Sequence, residues 1–170
     1  MKRGWKLSEY GLFDKEKQIA GKTEQELYQK LGLHYIPPEL RENTGEIEAS
    51  SNNKLSKLIE LKDIKADFHL HTKYSDGSCS IKEMADAAEK LSYNAIAITD
   101  HYVGPVIANP MNKKIIKKQG HEINNLNKKS KIKILKGAEI NIKLDGSLDA
   151  EVEVLKELDL VIASIHSGFK

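Results

Sequence analysis

Apolar and polar residues follow two different patterns along this chain, and the change between them falls near residue 65. After it, apolar runs that favour strands alternate with amphipathic stretches that favour helices. This order predicts a parallel sheet with crossover helices, of which a β/α barrel is one closed form. We predict strands over residues 66–71, 95–99, 132–140 and 160–166, and helices over residues 80–92, 111–129 and 150–158.

The part before this change is more polar. A strand broken at Gly11 is predicted over residues 5–13, and a helix capped by Thr23 and ended by Gly32 follows it. The other features are an extended elbow at Pro37 and Pro38, a polar connector over residues 41–53, and a short helical face made by Leu55, Leu58 and Ile59.

Composition restricts the classes of protein to consider. A chain of 170 residues is long enough for one ordinary domain or for parts of two, and we expect a division into residues 1–50 and 51–170. With 39% hydrophobic and 31% charged residues, no long apolar run and no secretory signal, the chain is typical of a soluble protein. Its single cysteine, Cys79, excludes an internal disulfide framework and favours a cytoplasmic location. The net charge of +2 argues neither for nor against nucleic acid.

The most informative stretch runs from Asp67 to Gly77. His69 and His71 alternate along a predicted strand, so their side chains project to the same face. Asp76 precedes Gly77, which permits a tight turn back over the strand end. Imidazole and carboxylate together form a ligand set for a zinc- or manganese-type ion. A pair of histidines spaced in this way also occurs as polar residues on an open strand face, so the interpretation depends on further ligands.

Ligand-type side chains follow all four predicted strands at the same end, where α/β enzymes place their chemistry. Each of them alone could be an ordinary loop or strand-end residue, but together they require coincidences at four consecutive strands. We therefore predict a metal site and interpret His34, His121 and Cys79 as residues outside it. The candidates are His69, His71 and Asp76 at the first strand, Asp100 and His101 at the second, Glu139 at the third and His166 at the fourth.

These motifs resemble a known family. The chain is similar to the PHP (polymerase and histidinol phosphatase) phosphoesterase domain in four successive motifs: Asp67-x-His69-x-His71-Thr72-x-x-Ser75-Asp76-Gly77, Ile98-Thr99-Asp100-His101, Gly137-Ala138-Glu139 and Ala163-Ser164-Ile165-His166-Ser167. Upstream, residues 9–13, 35–42 and 45–49 resemble the end of the thumb in bacterial and archaeal family X DNA polymerases. In that family a PHP domain directly follows the thumb.

The resemblance implies a distorted, TIM-like α/β barrel with up to three manganese or zinc ions. It implies an exonuclease or phosphatase that acts on DNA 3′ ends in repair, together with an upstream polymerase domain. The implied metal ligands are His69, His71, Asp76, His101, Glu139 and His166, with Glu139 bridging two ions. We further expect Asp67 and Asp100 to orient ligand imidazoles. Other ligands of the family and its palm carboxylates have no counterpart in this sequence. We therefore expect a partial barrel with little or no turnover and no polymerase activity.

Two alternatives remain open from the sequence. One is a small-molecule phosphatase of the histidinol-phosphate kind that uses the same metals. The other is a non-catalytic remnant that binds metal incompletely or binds DNA. The lysine-rich run from Lys113 to Lys136 would suit contact with a phosphate backbone, but a solvated helix face is the favoured interpretation.

Overall fold

The computed structural model describes residues 3–104 and 106–166. The chain separates into two compact units, and the division falls between Leu58 and Ile59. Each unit has its own sheet. The expected boundary between residues 50 and 51 separates the part of the sequence that resembles a thumb from the part that resembles a PHP domain. This boundary stays a prediction. Ser167, the last residue of the fourth motif, lies outside the described residues.

The first unit opens with a three-stranded antiparallel sheet. Its strands are β1 (Lys6–Ser8), β2 (Gly11–Asp14) and β3 (Lys17–Ala20), in that order across the sheet. The strand predicted over residues 5–13 is therefore two strands joined by a turn, and Gly11 begins the second of them. The pattern does not predict β3, because only two of its four residues are apolar.

Helix α1 (Glu24–Leu31) has the predicted ends. At its start the Thr23 hydroxyl accepts a hydrogen bond from the N–H of Glu26 at 3.2 Å. In a capping box the Glu26 carboxylate would accept the backbone N–H of Thr23. Here it accepts the backbone N–H groups of Gly21 and Lys22 instead. Gly32 ends the helix with a left-handed φ of 81°, which glycine adopts without steric cost.

Two predictions for the rest of this segment are wrong. The expected polar connector over residues 41–53 contains a helix, α2 (Glu46–Ser51). Conversely, Leu55, Leu58 and Ile59 lie in a stretch without regular structure, so the expected helical face does not form. A single apolar turn does not by itself overcome the cost of nucleating a helix.

The second unit alternates strands and helices as the sequence pattern predicts. The two-residue strand β6 is absent from the prediction, because two residues show no periodicity. In chain order the elements are β4 (Ala66–Leu70), α3 (Ile81–Lys90), β5 (Ala95–Ile98), β6 (His101–Tyr102), α4 (Lys113–Asn127), β7 (Lys133–Asn141), α5 (Val152–Leu155) and β8 (Leu160–Ser164).

All five strands of this unit are parallel to their neighbours. β4 pairs with β5, and β5, β6 and β8 all pair with the long strand β7. Ile98 pairs with Lys136 and His101 with Glu139, so β6 continues the register of β5 along β7. The two residues between β5 and β6 leave the ladder, and both of their carbonyls accept the N–H of Glu139. The sheet is thus interrupted beside the predicted ligands.

Helices α3 and α4 pack on this sheet and bury the apolar positions of the sequence pattern. Helix α3 begins with a full capping box, in which Ser80 and Glu83 each bond the backbone N–H of the other. Full burial of an isoleucine side chain stabilises a fold by about 1.5–3 kcal/mol relative to exposure. The main cluster consists of Ile81, Ala85, Ala88, Ile96, Ile98, Ile123, Ile132 and Ile134.

Within residues 3–104 and 106–166 the sheet does not close into a barrel. β4 and β8 each pair with a single neighbour, so the described sheet is open at both edges. The expectation of a partial α/β barrel is therefore confirmed. None of the helices in this part of the chain combines the length and the hydrophobicity needed to cross a bilayer.

Candidate metal centre

Strands β4 and β7 bring three of the predicted ligands together. His69 lies within β4 and His71 just after it, with ring centroids 5.3 Å apart. Glu139 faces both rings: its Oε2 atom lies 3.2 Å from Nε2 of His69 and 3.1 Å from Nε2 of His71. Glu139 is not at the end of its strand as predicted, because pairing with β8 extends β7 to Asn141.

His101 and His166 extend the pair of rings to a row of four imidazoles. The ring centroids lie 4.5 Å apart between His71 and His101, and 5.2 Å apart between His101 and His166. Nδ1 of His101 lies 3.5 Å from Oε2 of Glu139, and Nε2 of the same ring lies 3.6 Å from Oδ2 of Asp76. Nε2 of His166 lies 3.0 Å from Oε1 of Glu139. All six predicted ligands therefore face one pocket.

Asp76 reaches the pocket because the chain turns back sharply after His71. The N–H groups of Ser75 and Gly77 both donate to the carbonyl of Thr72, each at 3.0 Å. A Cβ atom on Gly77 would lie 2.4 Å from the carbonyl oxygen of His71 and 2.6 Å from the nitrogen of Thr72. Gly77 does not have a positive φ, so the turn requires glycine for space rather than for a left-handed backbone.

The six side chains form three overlapping groups, in each of which three ligand atoms lie within 4.8 Å of one another. The first and third groups share only Glu139. Its Oε2 atom faces both rings of the first group and also Nδ1 of His101, and its Oε1 atom faces His166 of the third group. These two groups can therefore be used at the same time, whereas the second shares one ring with each of them. The first group is His69, His71 and Glu139; the second is His71, Asp76 and His101; the third is His101, Glu139 and His166.

A hydrogen bond fixes which nitrogen of His166 faces the pocket. Its Nδ1 atom lies 2.5 Å from Oδ1 of Asn141, so Nδ1 carries the proton and donates it. The neutral ring then presents the lone pair of Nε2 to Oε1 of Glu139 at 3.0 Å. Two lone pairs at this distance repel each other unless a cation or a second proton lies between them.

His71 has the same excess of lone pairs, because it lies between two carboxylates. Its Nδ1 atom is 2.8 Å from Oδ1 of Asp76, and its Nε2 atom is 3.1 Å from Oε2 of Glu139. A neutral imidazole has one N–H, so one of these contacts opposes two lone pairs. Two ligands of a tetrahedral ion with metal–ligand distances of about 2.0–2.1 Å lie roughly 3.3–3.4 Å apart. The separations of 2.8–3.6 Å across the pocket are close to this value, so these residues fit a divalent ion.

The electrostatic environment favours the protonation states that bind metal. Burial raises the pKa of Glu139, but the hydrogen bond from His69 and the charge of His101 outweigh burial and hold the pKa below its usual value. Burial also raises the pKa of Asp76, but hydrogen bonds to its carboxylate, led by the one from His71, together outweigh burial and hold the pKa below its usual value. Burial lowers the pKa of His101 despite the nearby Glu139. Metal binding requires ionised carboxylates and neutral imidazoles, which these shifts favour.

In the described part of the chain, the hydrogen bonds of Asp67 and Asp100 go to groups other than the predicted ligand rings, and the orienting roles expected for them stay predictions. Oδ1 of Asp67 accepts the backbone N–H of His69 at 3.1 Å. The Asp100 carboxylate accepts four hydrogen bonds from neutral donors on Thr72, Ser75 and Gln119. The acceptor positions of Asp100 are thus filled by these donors, whereas Asp67 accepts this one bond on Oδ1.

The residue that orients a ligand ring is Asn141, which the sequence interpretation missed. Its amide oxygen accepts from His166, and its Nδ2 atom donates to the carbonyl of Val103 at 3.3 Å, which holds the amide in place. A signal was available, because Asn141 follows Glu139 by two residues on one strand and therefore shares its face.

The residues predicted to lie outside the site do so. His34 is in a loop and His121 is on the exposed side of α4. Cys79 lies in the loop before α3 and belongs to none of the three groups in the described part of the chain. The lysine-rich run is partly neutralised, since Lys117 pairs with Glu157 and Lys131 with Glu89.

Two family models match the sequence. The PHP domain matches residues 67–170, and the DNA polymerase beta thumb matches residues 1–42. The chain is also 44% identical, over 173 residues, to the DNA polymerase/3′-5′ exonuclease PolX of Bacillus subtilis (strain 168). This alignment covers 98% of the chain and 30% of the relative, so the chain spans less than a third of that protein's length.

Proposed function

The chain belongs to the PHP domain family and joins that domain to the end of a family X polymerase thumb, and on this basis we propose that its second unit is a metal-dependent phosphoesterase module. The proposed substrate is the 3′ end of DNA, from which the module removes a nucleotide or a terminal phosphate during repair. The proposed partners are DNA and the polymerase part of the same protein.

The observation that carries this proposal is the excess of lone pairs in the pocket. Nε2 of His166 and Oε1 of Glu139 oppose each other at 3.0 Å while Nδ1 of His166 is already bonded to Asn141. The first and third groups would each hold a zinc or manganese ion, with Glu139 between them. Divalent ions bound there would supply positive charge that activates water and neutralises a phosphate group.

The chain's own residues contribute fixed positions and protonation states. Asn141 keeps one proton of His166 on Nδ1, so that the neutral ring offers the lone pair of Nε2. Glu139 is 5% exposed and cannot swing out to solvent, which keeps its two oxygens directed at different groups. Asp76 is the more exposed of the two ligand carboxylates, so it is the more accessible to a substrate.

The choice of DNA as substrate rests on the first unit and on the relative. Residues 1–42 match a polymerase thumb, a sequence without an evident use in a phosphatase of small metabolites. The relative from Bacillus subtilis is named as a DNA polymerase and a 3′-5′ exonuclease. We propose the same class of substrate for this chain.

The test is a comparison of substrates under single-turnover conditions, with the 170-residue chain in excess so that a slow reaction stays visible. The substrates are 5′-labelled DNA oligonucleotides with a 3′-hydroxyl or a 3′-phosphate, and histidinol phosphate. Each is incubated with manganese, with zinc, and with a chelator.

We expect shortening or dephosphorylation of the DNA only when metal is present. Glu139→Gln should abolish the reaction, and the exposed control His121→Ala should retain it. Turnover of histidinol phosphate alone would contradict the choice of substrate. Metal binding without any turnover would favour the non-catalytic alternative.

A further inference from the structure

Asp100 is a buried carboxylate that the metal centre does not use. Its exposed fraction is 0%, and its partners Thr72 and Gln119 are 0% and 1% exposed. Burial of a carboxylate among neutral groups costs stability, so the arrangement needs a reason other than packing.

Four short hydrogen bonds occupy this carboxylate. Oδ1 accepts the backbone N–H of Thr72 and the hydroxyl of Ser75, both at 2.6 Å. Oδ2 accepts the hydroxyl of Thr72 at 2.6 Å and the Nε2 amide of Gln119 at 2.7 Å. An ionised carboxylate offers about four acceptor positions, so all of them are filled. The Ser75 hydroxyl also lies 3.1 Å from Asp76, but its one proton goes to the nearer oxygen of Asp100.

These hydrogen bonds connect three residues that are adjacent in the sequence to members of the second group. Thr72 follows His71, Ser75 precedes Asp76, and Asp100 precedes His101. The second group is made of those three ligands, and no other ligand is adjacent to this network in the sequence. The network therefore fixes the turn after β4 against the segment between β5 and β6. His71 and Asp76 belong to that turn, and His101 directly follows that segment at the start of β6.

Gln119 is the one donor of this network that belongs to neither loop. It lies on α4. Its side chain is buried, whereas the lysines that precede it on the same helix are exposed. We propose that Gln119 is a positioning residue for the second group. Its amide fixes the Asp100 carboxylate relative to α4, and this carboxylate in turn fixes the two segments next to the ligands of the second group. This inference rests on the proposed metal centre and assigns a residue to it that does not touch any ligand.

The experiment replaces Gln119 with methionine, which keeps the length and the helix propensity of the side chain but removes the donor. Ile123→Val is the matched control, because Ile123 is fully buried one turn further along α4, in the apolar core, and takes no part in the four hydrogen bonds of the network. Manganese and zinc affinity and the thermal midpoint are measured for the wild-type chain and both variants. We expect Gln119→Met to weaken metal binding by about 10–100-fold, the usual effect of removing a support behind a ligand. Ile123→Val should lower the midpoint without changing the affinity.

A double-mutant comparison tests the assignment to the second group. In an Asp76→Ala background, which removes a ligand of the second group alone, Gln119→Met should cause little further loss of affinity. In a His166→Ala background, which leaves the second group intact, the losses should add. Equal loss of affinity in Gln119→Met and Ile123→Val, or additivity in both backgrounds, would overturn the inference.

Amide hydrogen exchange of the metal-free chain gives a readout that does not depend on metal. Exchange of the Thr72 and Gly77 amides should be faster in Gln119→Met, whereas the amides that pair β5 with β7 should exchange at the wild-type rate. Unchanged exchange at Thr72 would overturn the inference. A wild-type chain that binds neither metal but shows the exchange difference would refute the proposed function and leave the structural role of Gln119 standing.

Discussion

Gly77→Ala is expected to destabilise the second unit by displacing a single turn. The added Cβ atom would lie 2.4, 2.5 and 2.6 Å from the O and C atoms of His71 and the N atom of Thr72. Carbon atoms in ordinary contact lie about 3.5–4.0 Å apart, so each contact is too short by roughly 1 Å. Because all three are backbone atoms, no side chain can rotate away. We expect a loss of about 1–3 kcal/mol, the usual cost of overpacking, and a shift of Asp76 away from the pocket.

Gly120→Ala on α4 is the matched control. There the new Cβ would meet only Cδ of Lys136 at 3.5 Å, an ordinary contact with a flexible side chain. Alanine favours a helix interior over glycine by about 1 kcal/mol, so this variant should be more stable than the wild type. The two substitutions add the same methyl group and are expected to act in opposite directions.

Chemical denaturation and metal titration of both variants provide the assay. Gly77→Ala should lower the free energy of unfolding in metal-free buffer and should also weaken manganese binding, whereas Gly120→Ala should do neither. If Gly77→Ala unfolds at the wild-type denaturant concentration and binds metal as well as the wild type, the turn does not need the space that glycine provides.

Three further predictions concern the core and the pH dependence of the two units. Ile134→Ala should cost about 2–5 kcal/mol in denaturant melts, because Ile134 is fully buried between the sheet and the helices. In the first unit, hydrogen bonds from Arg41 hold the pKa of Glu24 below its ordinary 4.5, so this pair stabilises the unit above that pH and its contribution is lost as the pH falls through the lowered value. Fluorescence of Trp5, the single tryptophan, should report this acid transition, and Glu24→Gln should lack it. Burial lowers the pKa of His101 below 6.5, so the unfolded chain is protonated first, and the metal-free second unit should lose stability as the pH falls below that value. Thermal melts from neutral to mildly acidic pH should show this loss, and it should be smaller in His101→Gln.

The sequence predicted the second unit well because its signals are local and strong. The capping box of Ser80 and Glu83 and the apolar run at Ala95–Ile98 each define one element without reference to the rest of the chain. That the six predicted ligands lie close together follows from strand alternation and strand order, which are enough to bring them to one edge.

What the sequence missed depends on contacts between distant segments. β6 exists only because His101 pairs with Glu139, and β7 extends to Asn141 only because β8 pairs with it. The partners of Asp100 come from the turn after β4 and from α4, so no local pattern shows that this carboxylate supports a loop rather than an imidazole. In the first segment α2 was missed because its polar residues resemble those of a connector.

The central claim is that opposed lone pairs around Glu139 make this pocket a site for divalent cations. Equilibrium dialysis of the chain against manganese and zinc, followed by metal analysis, tests it most directly when the wild type is compared with Glu139→Gln and with the exposed controls His34→Ala and His121→Ala. We expect bound metal in the wild type and in both controls, and a large loss in Glu139→Gln, because Glu139 belongs to two of the three groups and only the second keeps all its ligands. Equal metal contents in the wild type and in Glu139→Gln, or no bound metal in any of the four proteins, would contradict the account.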